Sequence, residues 1–185
     1  MKRVLCLVSG AMLVASMAQA QGAAPGPTGL AAGLQRSYNG IKLNLTQAAE
    51  KLADADYGFK PSPEIRSFGG QLAHVADAQY NFCSAAKGVA NPMAGQSLEK
   101  TKTSKVDVMK ALADSFTFCD DAYSALTDAS AAELVTQGRG QVARGSVLAN
   151  NTAHNNEEYG IITVYLRLKQ MVPPSTERQM QGRGR

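Results

Sequence analysis

Histidine occurs only twice in this 185-residue chain, at His74 and His154, and cysteine only three times, at Cys6, Cys83 and Cys119. Imidazole chemistry is therefore confined to two positions, and a dense disulfide framework is excluded. An excess of charge is lacking as well: the formal net charge is +4, falling to +2 once Lys2 and Arg3 leave with an N-terminal leader. Several of the remaining basic residues, Arg178, Arg183 and Arg185 among them, lie in the terminal tail. That balance gives no reason to expect a charge-driven nucleic-acid or membrane partner. Beyond the N-terminus no segment has the roughly 18 uninterrupted apolar residues that a membrane span needs. Alternating strand patterns, internal repeats and glycine-rich phosphate loops are all missing, which leaves helices as the building material.

The first twenty residues read as a secretory signal, with Lys2 and Arg3 at the start, an apolar run from Val4 to about Val14, and Ala18-Gln19-Ala20 as the cleavage site. Cys6 lies inside the run rather than at its end, which argues against a lipid anchor. The expected mature protein is soluble, periplasmic or secreted, and free of the membrane after cleavage. Its 165 residues suit one compact domain with a sizeable core. Residues 21–28 are Gly, Ala and Pro rich and form a flexible lead-in, the domain spans 29–174, and the polar tail 175–185 is expected to be disordered.

Four helical patterns fill the domain. Leu34, Tyr38, Ile41, Leu45, Ala48 and Leu52 recur at steps of four and three, the seam of a packed helix that starts near Leu30. Pro61 and Pro63 keep the chain non-helical before Ser67, which can cap a second helix running to Lys87, where Gly88 closes it. That helix carries two adjoining stripes, Gln71-His74-Ala78-Phe82-Ala85 and Phe68-Leu72-Ala76-Cys83, and should be buried over much of its circumference. Residues 88–103 read as a surface loop. Ser104 caps a third helix with the stripe Met109, Leu112, Phe116, Cys119, Tyr123 and Leu126. A glycine-bearing connector over 138–145 leads to a fourth helix over 146–170, which Pro173-Pro174 stops. The implied fold is an all-α four-helix bundle.

The fourth helix has an apolar stripe, Val147, Asn151, His154, Glu158, Ile161, Tyr165 and Leu168, that a polar, titratable layer interrupts. His154 and Glu158 are four residues apart and share one helix face. Such a layer is costly in a core unless a metal ion or a closed hydrogen-bond network satisfies it. His74, the other imidazole, is the natural third member. Two imidazoles and a carboxylate would leave positions on a divalent metal open for water or substrate, and would suit zinc, iron(II), nickel or manganese. The same residues, with Asn151, Asn155, Asp77 and Tyr80 in reach, also allow a purely polar network. Cys83 and Cys119 lie on different expected helices, so a disulfide, simple core packing or a dithiol redox role are all open. Neither has a neighbouring cation that would mark it as a nucleophile.

The stretch from Ser67 through Gln71, His74 and Asp77 to Tyr80, the segment His154 to Gly160, and the closing run Tyr165 to Pro174 together resemble the DinB-like family of bacterial four-helix bundles. The resemblance covers roughly residues 34–174. It implies a divalent metal held by three histidines, one on the second helix and two, four apart, on a later one. Some relatives are thiol-dependent transferases or isomerases. His74 and His154 fall on two of the expected ligand positions, and Glu158 stands where the third histidine usually does. The substitution either hardens the centre or marks one that has lost its metal.

Two functions follow. One is an exported metal-binding protein with His74, His154 and Glu158 as ligands, acting on a small molecule as a metal-dependent hydrolase or thiol transferase. The other is a non-catalytic bundle with a degenerate metal site, acting as a binding or structural protein. A homodimer is compatible with either.

Overall fold

The structure, a computed structural model, describes residues 28–183. The expected signal sequence, nearly all of the expected lead-in and the last two residues lie outside the described residues. Four long helices make the bundle: α1 (Leu30–Lys51), α2 (Phe68–Lys87), α4 (Lys105–Ser124) and α6 (Arg144–Leu168). Three short helices accompany them, α3 (Leu98–Thr101), α5 (Asp128–Ala131) and α7 (Pro174–Arg183). The expected all-α bundle is present.

The boundaries follow from capping chemistry. The Ser67 hydroxyl accepts the Gly70 amide at the start of α2, and Gly88 ends that helix in the left-handed region at φ 68. The Ser104 side chain accepts the Asp107 amide and starts α4. Helix α1 has no cap of its own. The Asp128 carboxylate, contributed by α5, accepts the Ala31 amide at 2.7 Å instead. Gly69 is required where α2 begins, because a Cβ there would stand 2.9 Å from the Tyr57 ring and 3.2 Å from its carbonyl oxygen.

Helix α2 packs against α4 and α6, and α1 packs against the same two, while α1 and α2 meet only marginally. Sequence neighbours α1 and α2 are therefore diagonal partners, and residues 52–67 cross one end of the bundle. The core consists largely of the expected seams, including Tyr38, Ile41 and Leu45 from α1, Leu52 just after it, and Leu112, Phe116, Cys119 and Tyr123 from α4. Tyr38 and Tyr123 stack at 3.8 Å between ring centroids. Burial raises the hydroxyl pKa of both, and that of Tyr123 reaches about 12. Cys83 and Cys119 form a disulfide that ties α2 to α4, with a Cα–Cα distance of 5.3 Å.

Three expectations need correction. The connector expected over 138–145 is not plain: β1 (Leu134–Gln137) and β2 (Gly140–Ala143) pair antiparallel, with Gln137 opposite Gly140, and α6 already starts at Arg144. Gly138, at φ 60, takes the first place of the two-residue turn, where a side chain would be strained. Each strand has only four residues, too few for an alternating pattern to stand out. The tail is likewise not disordered up to residue 183, since Pro174 opens α7. Lys51 pairs with Glu177 at 2.7 Å, Arg178 bonds Gln47 and Asn44, and the Tyr159 hydroxyl meets Ser175 at 3.0 Å. This docking is polar and leaves no apolar periodicity to read.

The third correction concerns the buried face of α6. Ile161 and Leu168 are exposed, whereas Leu148, Asn155, Ile162 and Leu166 are buried. The stripe read at a strict 3.5-residue repeat drifts off the true 3.6-residue helical face over six turns.

Candidate metal centre

His74 comes from the second turn of α2 and His154 and Glu158 from the middle of α6, two helices in extensive contact. The structure brings all three together. His74 Nε2 and His154 Nε2 lie 3.2 Å apart, and Glu158 Oε1 lies 3.4 Å from His154 Nε2 and 3.6 Å from His74 Nε2. Three ligand-type atoms thus form a nearly equilateral triangle. Ligands bound tetrahedrally at about 2.0–2.2 Å stand roughly 3.4 Å apart, so the triangle has the dimensions of one face of such a shell.

The electrostatics also fit a cation. Glu158 is only 6% exposed, its ion-pair partners are the two imidazoles, and its second oxygen, Oε2, has no hydrogen-bond partner. A buried carboxylate with an orphaned oxygen is costly without a positive charge beside it. His154 does not readily supply that charge. Burial, ahead of all other influences, holds its pKa below the ordinary histidine value; Glu158 pulls it upward and His74 downward. Its Nδ1 is buried without a partner as well. A neutral imidazole Nε2 carries either one proton or one lone pair, so the three contacts cannot all be hydrogen bonds between neutral rings and the carboxylate, whereas a metal ion engages one lone pair from each atom at once.

Of the four residues that a polar network would draw on, only Asn155 acts on the imidazoles: it is fully buried, and its side chain raises the His154 pKa, although neither of its amide atoms makes a well-formed hydrogen bond. Asn151 donates to the Tyr123 hydroxyl at 3.1 Å and also faces Cys83 Sγ at 3.8 Å, so it serves the tyrosine and the disulfide rather than the histidines. Tyr80 packs on Phe118 at 5.2 Å. Asp77 turns away to bind the Leu98 and Glu99 amides at 2.9 and 3.1 Å.

The sequence reading missed Glu99. This residue of α3 places Oε2 3.3 Å from His74 Nδ1 and Oε1 3.0 Å from Arg66 Nε. Its one sequence signal is weak: it is the lone carboxylate in residues 88–103. Phe82 flanks His154 with 6.0 Å between ring centroids.

The fold is a helical bundle in which two imidazoles and a carboxylate, a group that could hold a metal ion, converge from two facing helices. The family model of the DinB superfamily matches residues 43–162, and the chain belongs to that superfamily. Among solved structures it is similar to a DinB-like protein from Bacillus cereus ATCC 10987, with a TM-score of 0.64 and 16% identity, over 77% of this chain and 95% of that one. It is also similar to a conserved protein from Enterococcus faecalis, with a TM-score of 0.62 and 13% identity, over 77% and 98% of the two chains. At such identities the likeness concerns the fold alone. No curated protein matches the chain.

Proposed function

We propose that this protein is an exported metal-binding member of the DinB superfamily, in which His74 Nε2, His154 Nε2 and Glu158 Oε1 hold a divalent ion such as zinc, nickel, iron(II) or manganese. The observation that carries this reading is the triangle of 3.2, 3.4 and 3.6 Å formed by two imidazole nitrogens and a nearly buried carboxylate oxygen. Export is supported by the signal-like N-terminus and by the Cys83–Cys119 disulfide, which suits an oxidising compartment. Among the described residues no helix is long and apolar enough to cross a membrane.

The ion, when bound, supplies Lewis acidity toward a carbonyl, water or thiol. The chain supplies the rest. Three protein ligands leave coordination positions for a small molecule, and the partly exposed edges of His74 and His154, 26% and 20% by side chain, give access. Glu158 lies deeper and contributes negative charge from beneath. Hydrolysis of a small-molecule substrate fits an exported protein better than thiol transfer, because low-molecular-weight thiol reagents are mainly cytosolic.

Elemental analysis tests the reading. Protein purified without chelator from zinc-supplemented medium is expected to carry about one equivalent of metal, and His154→Ala to lose it while staying folded. Metal-free wild-type protein under those conditions overturns the proposal.

A further inference from the structure

The imidazole of His74 has a second nitrogen, and that nitrogen is also engaged. Glu99 Oε2 stands 3.3 Å from Nδ1, while the other carboxylate oxygen is held 3.0 Å from Arg66 Nε. Glu99 belongs to α3, a four-residue turn whose own N-cap residue, Ser97, makes no side-chain cap. The cap comes from elsewhere. Asp77 of α2, three residues after His74 and on the same side of the helix, accepts the amides of Leu98 at 2.9 Å and Glu99 at 3.1 Å. Ser97 Oγ is 3.4 Å from the same carboxylate. One helical turn of α2 therefore carries both His74 and the anchor that sets Glu99 against it. Arg66, just before α2, is fixed in turn by its carbonyl oxygen, which accepts the Tyr165 hydroxyl of α6 at 2.7 Å.

We propose that Glu99 is a positioning residue for the centre: it holds His74 in the tautomer with the proton on Nδ1, so that the Nε2 lone pair faces His154 and Glu158, and Asp77 acts through it by docking α3. This rests on the metal-centre reading above and deepens it. A neutral imidazole has one proton to place, and a carboxylate beside Nδ1 favours placing it there. Carboxylates behind ligand histidines also raise ligand basicity, and their loss typically weakens metal binding about 10–100-fold. Arg66 adds its charge beside the other carboxylate oxygen and so helps hold the carboxylate next to His74. His154 has no carboxylate equivalent: its buried Nδ1 makes no well-formed hydrogen bond and its polar neighbour is the Asn155 amide, so the ordering of the two imidazoles is asymmetric.

Two readouts test the proposal. In metal-free protein, nitrogen-15 NMR of the imidazoles at pH 8 is expected to show His74 protonated on Nδ1, with Glu99→Gln shifting the population toward the other tautomer. In zinc titrations against a chromophoric chelator, Glu99→Gln is expected to weaken binding about 10–100-fold. Asp77→Asn is expected to weaken it less, and the double variant no more than Glu99→Gln alone, because both act along one path. Thermal melts establish that each variant is folded. Wild-type tautomer and affinity in Glu99→Gln overturn the proposal, as does an additive Asp77→Asn effect for the Asp77 step. A wild-type protein that binds no zinc overturns the metal centre instead, and the metal-free tautomer comparison then decides the role of Glu99 by itself.

Discussion

Replacing Glu158 by glutamine separates the metal centre from a structural polar network by the sign of its effect. At pH 8 burial disfavours the charged form of His154, and the metal-free protein buries a carboxylate whose Oε2 has no donor. Glutamine keeps the shape and removes the charge, so metal-free Glu158→Gln is expected to melt at or above the wild-type temperature. If Glu158 instead anchored a closed network, the substitution would strand its partners and cost about 1–3 kcal/mol. At about 2–4 °C per kcal/mol for a chain of this size, that is a fall of several degrees. Zinc at about 100 times Kd should add about 2.7 kcal/mol to the wild type, or roughly 5–10 °C, and little to the variant. Differential scanning calorimetry of both proteins, with EDTA and with zinc, supplies all four melting temperatures. A large fall for metal-free Glu158→Gln, together with a wild-type melt indifferent to zinc, would refute the reasoning.

Removing the disulfide by Cys83→Ala with Cys119→Ala should lower stability by about 3–4 kcal/mol, since the crosslink spans 36 residues; urea denaturation of oxidised and variant protein measures it. The acid limb of metal-free stability should depend on His154. Its pKa is depressed in the folded state, mainly by burial, so its contribution is fully present above the unfolded value near 6.5 and is lost as pH falls through the lower folded value. Melting temperature followed from pH 8 to pH 5 should therefore fall less in His154→Ala than in wild type, and parallel curves would contradict this.

The long helices could be read in the sequence because their information is local. Ser67, Gly88 and Ser104 announce helix ends through contacts within a few residues, and the structure uses all three. The pairing of His154 with Glu158 was legible for the same reason, being one helical turn. Adding His74 needed only that imidazoles are scarce and that the second helix faces inward. Residues whose roles depend on distant chain were not legible: Asp128 caps α1 across 97 residues, and α7 is held by Lys51, Gln47 and Asn44. Glu99 is the clearest case, because a carboxylate in a surface loop has no periodic signature. The Asp77 anchor and the Arg66 ion pair, both set by tertiary packing, bring it to His74.

By itself, the sequence determined that this chain forms four amphipathic helices, that two of its cysteines are available for pairing within the domain, and that a titratable layer interrupts one seam. These follow from local hydrogen bonding, the 3.6-residue period and the burial of apolar side chains. Tertiary structure alone decided that α1 and α2 sit diagonally, which puts α2 against α6. It thereby closed the triangle of His74, His154 and Glu158, and it placed Glu99 behind it. Convergence of donor atoms to within 3.6 Å is a property of packing between helices, and packing depends on the whole chain at once.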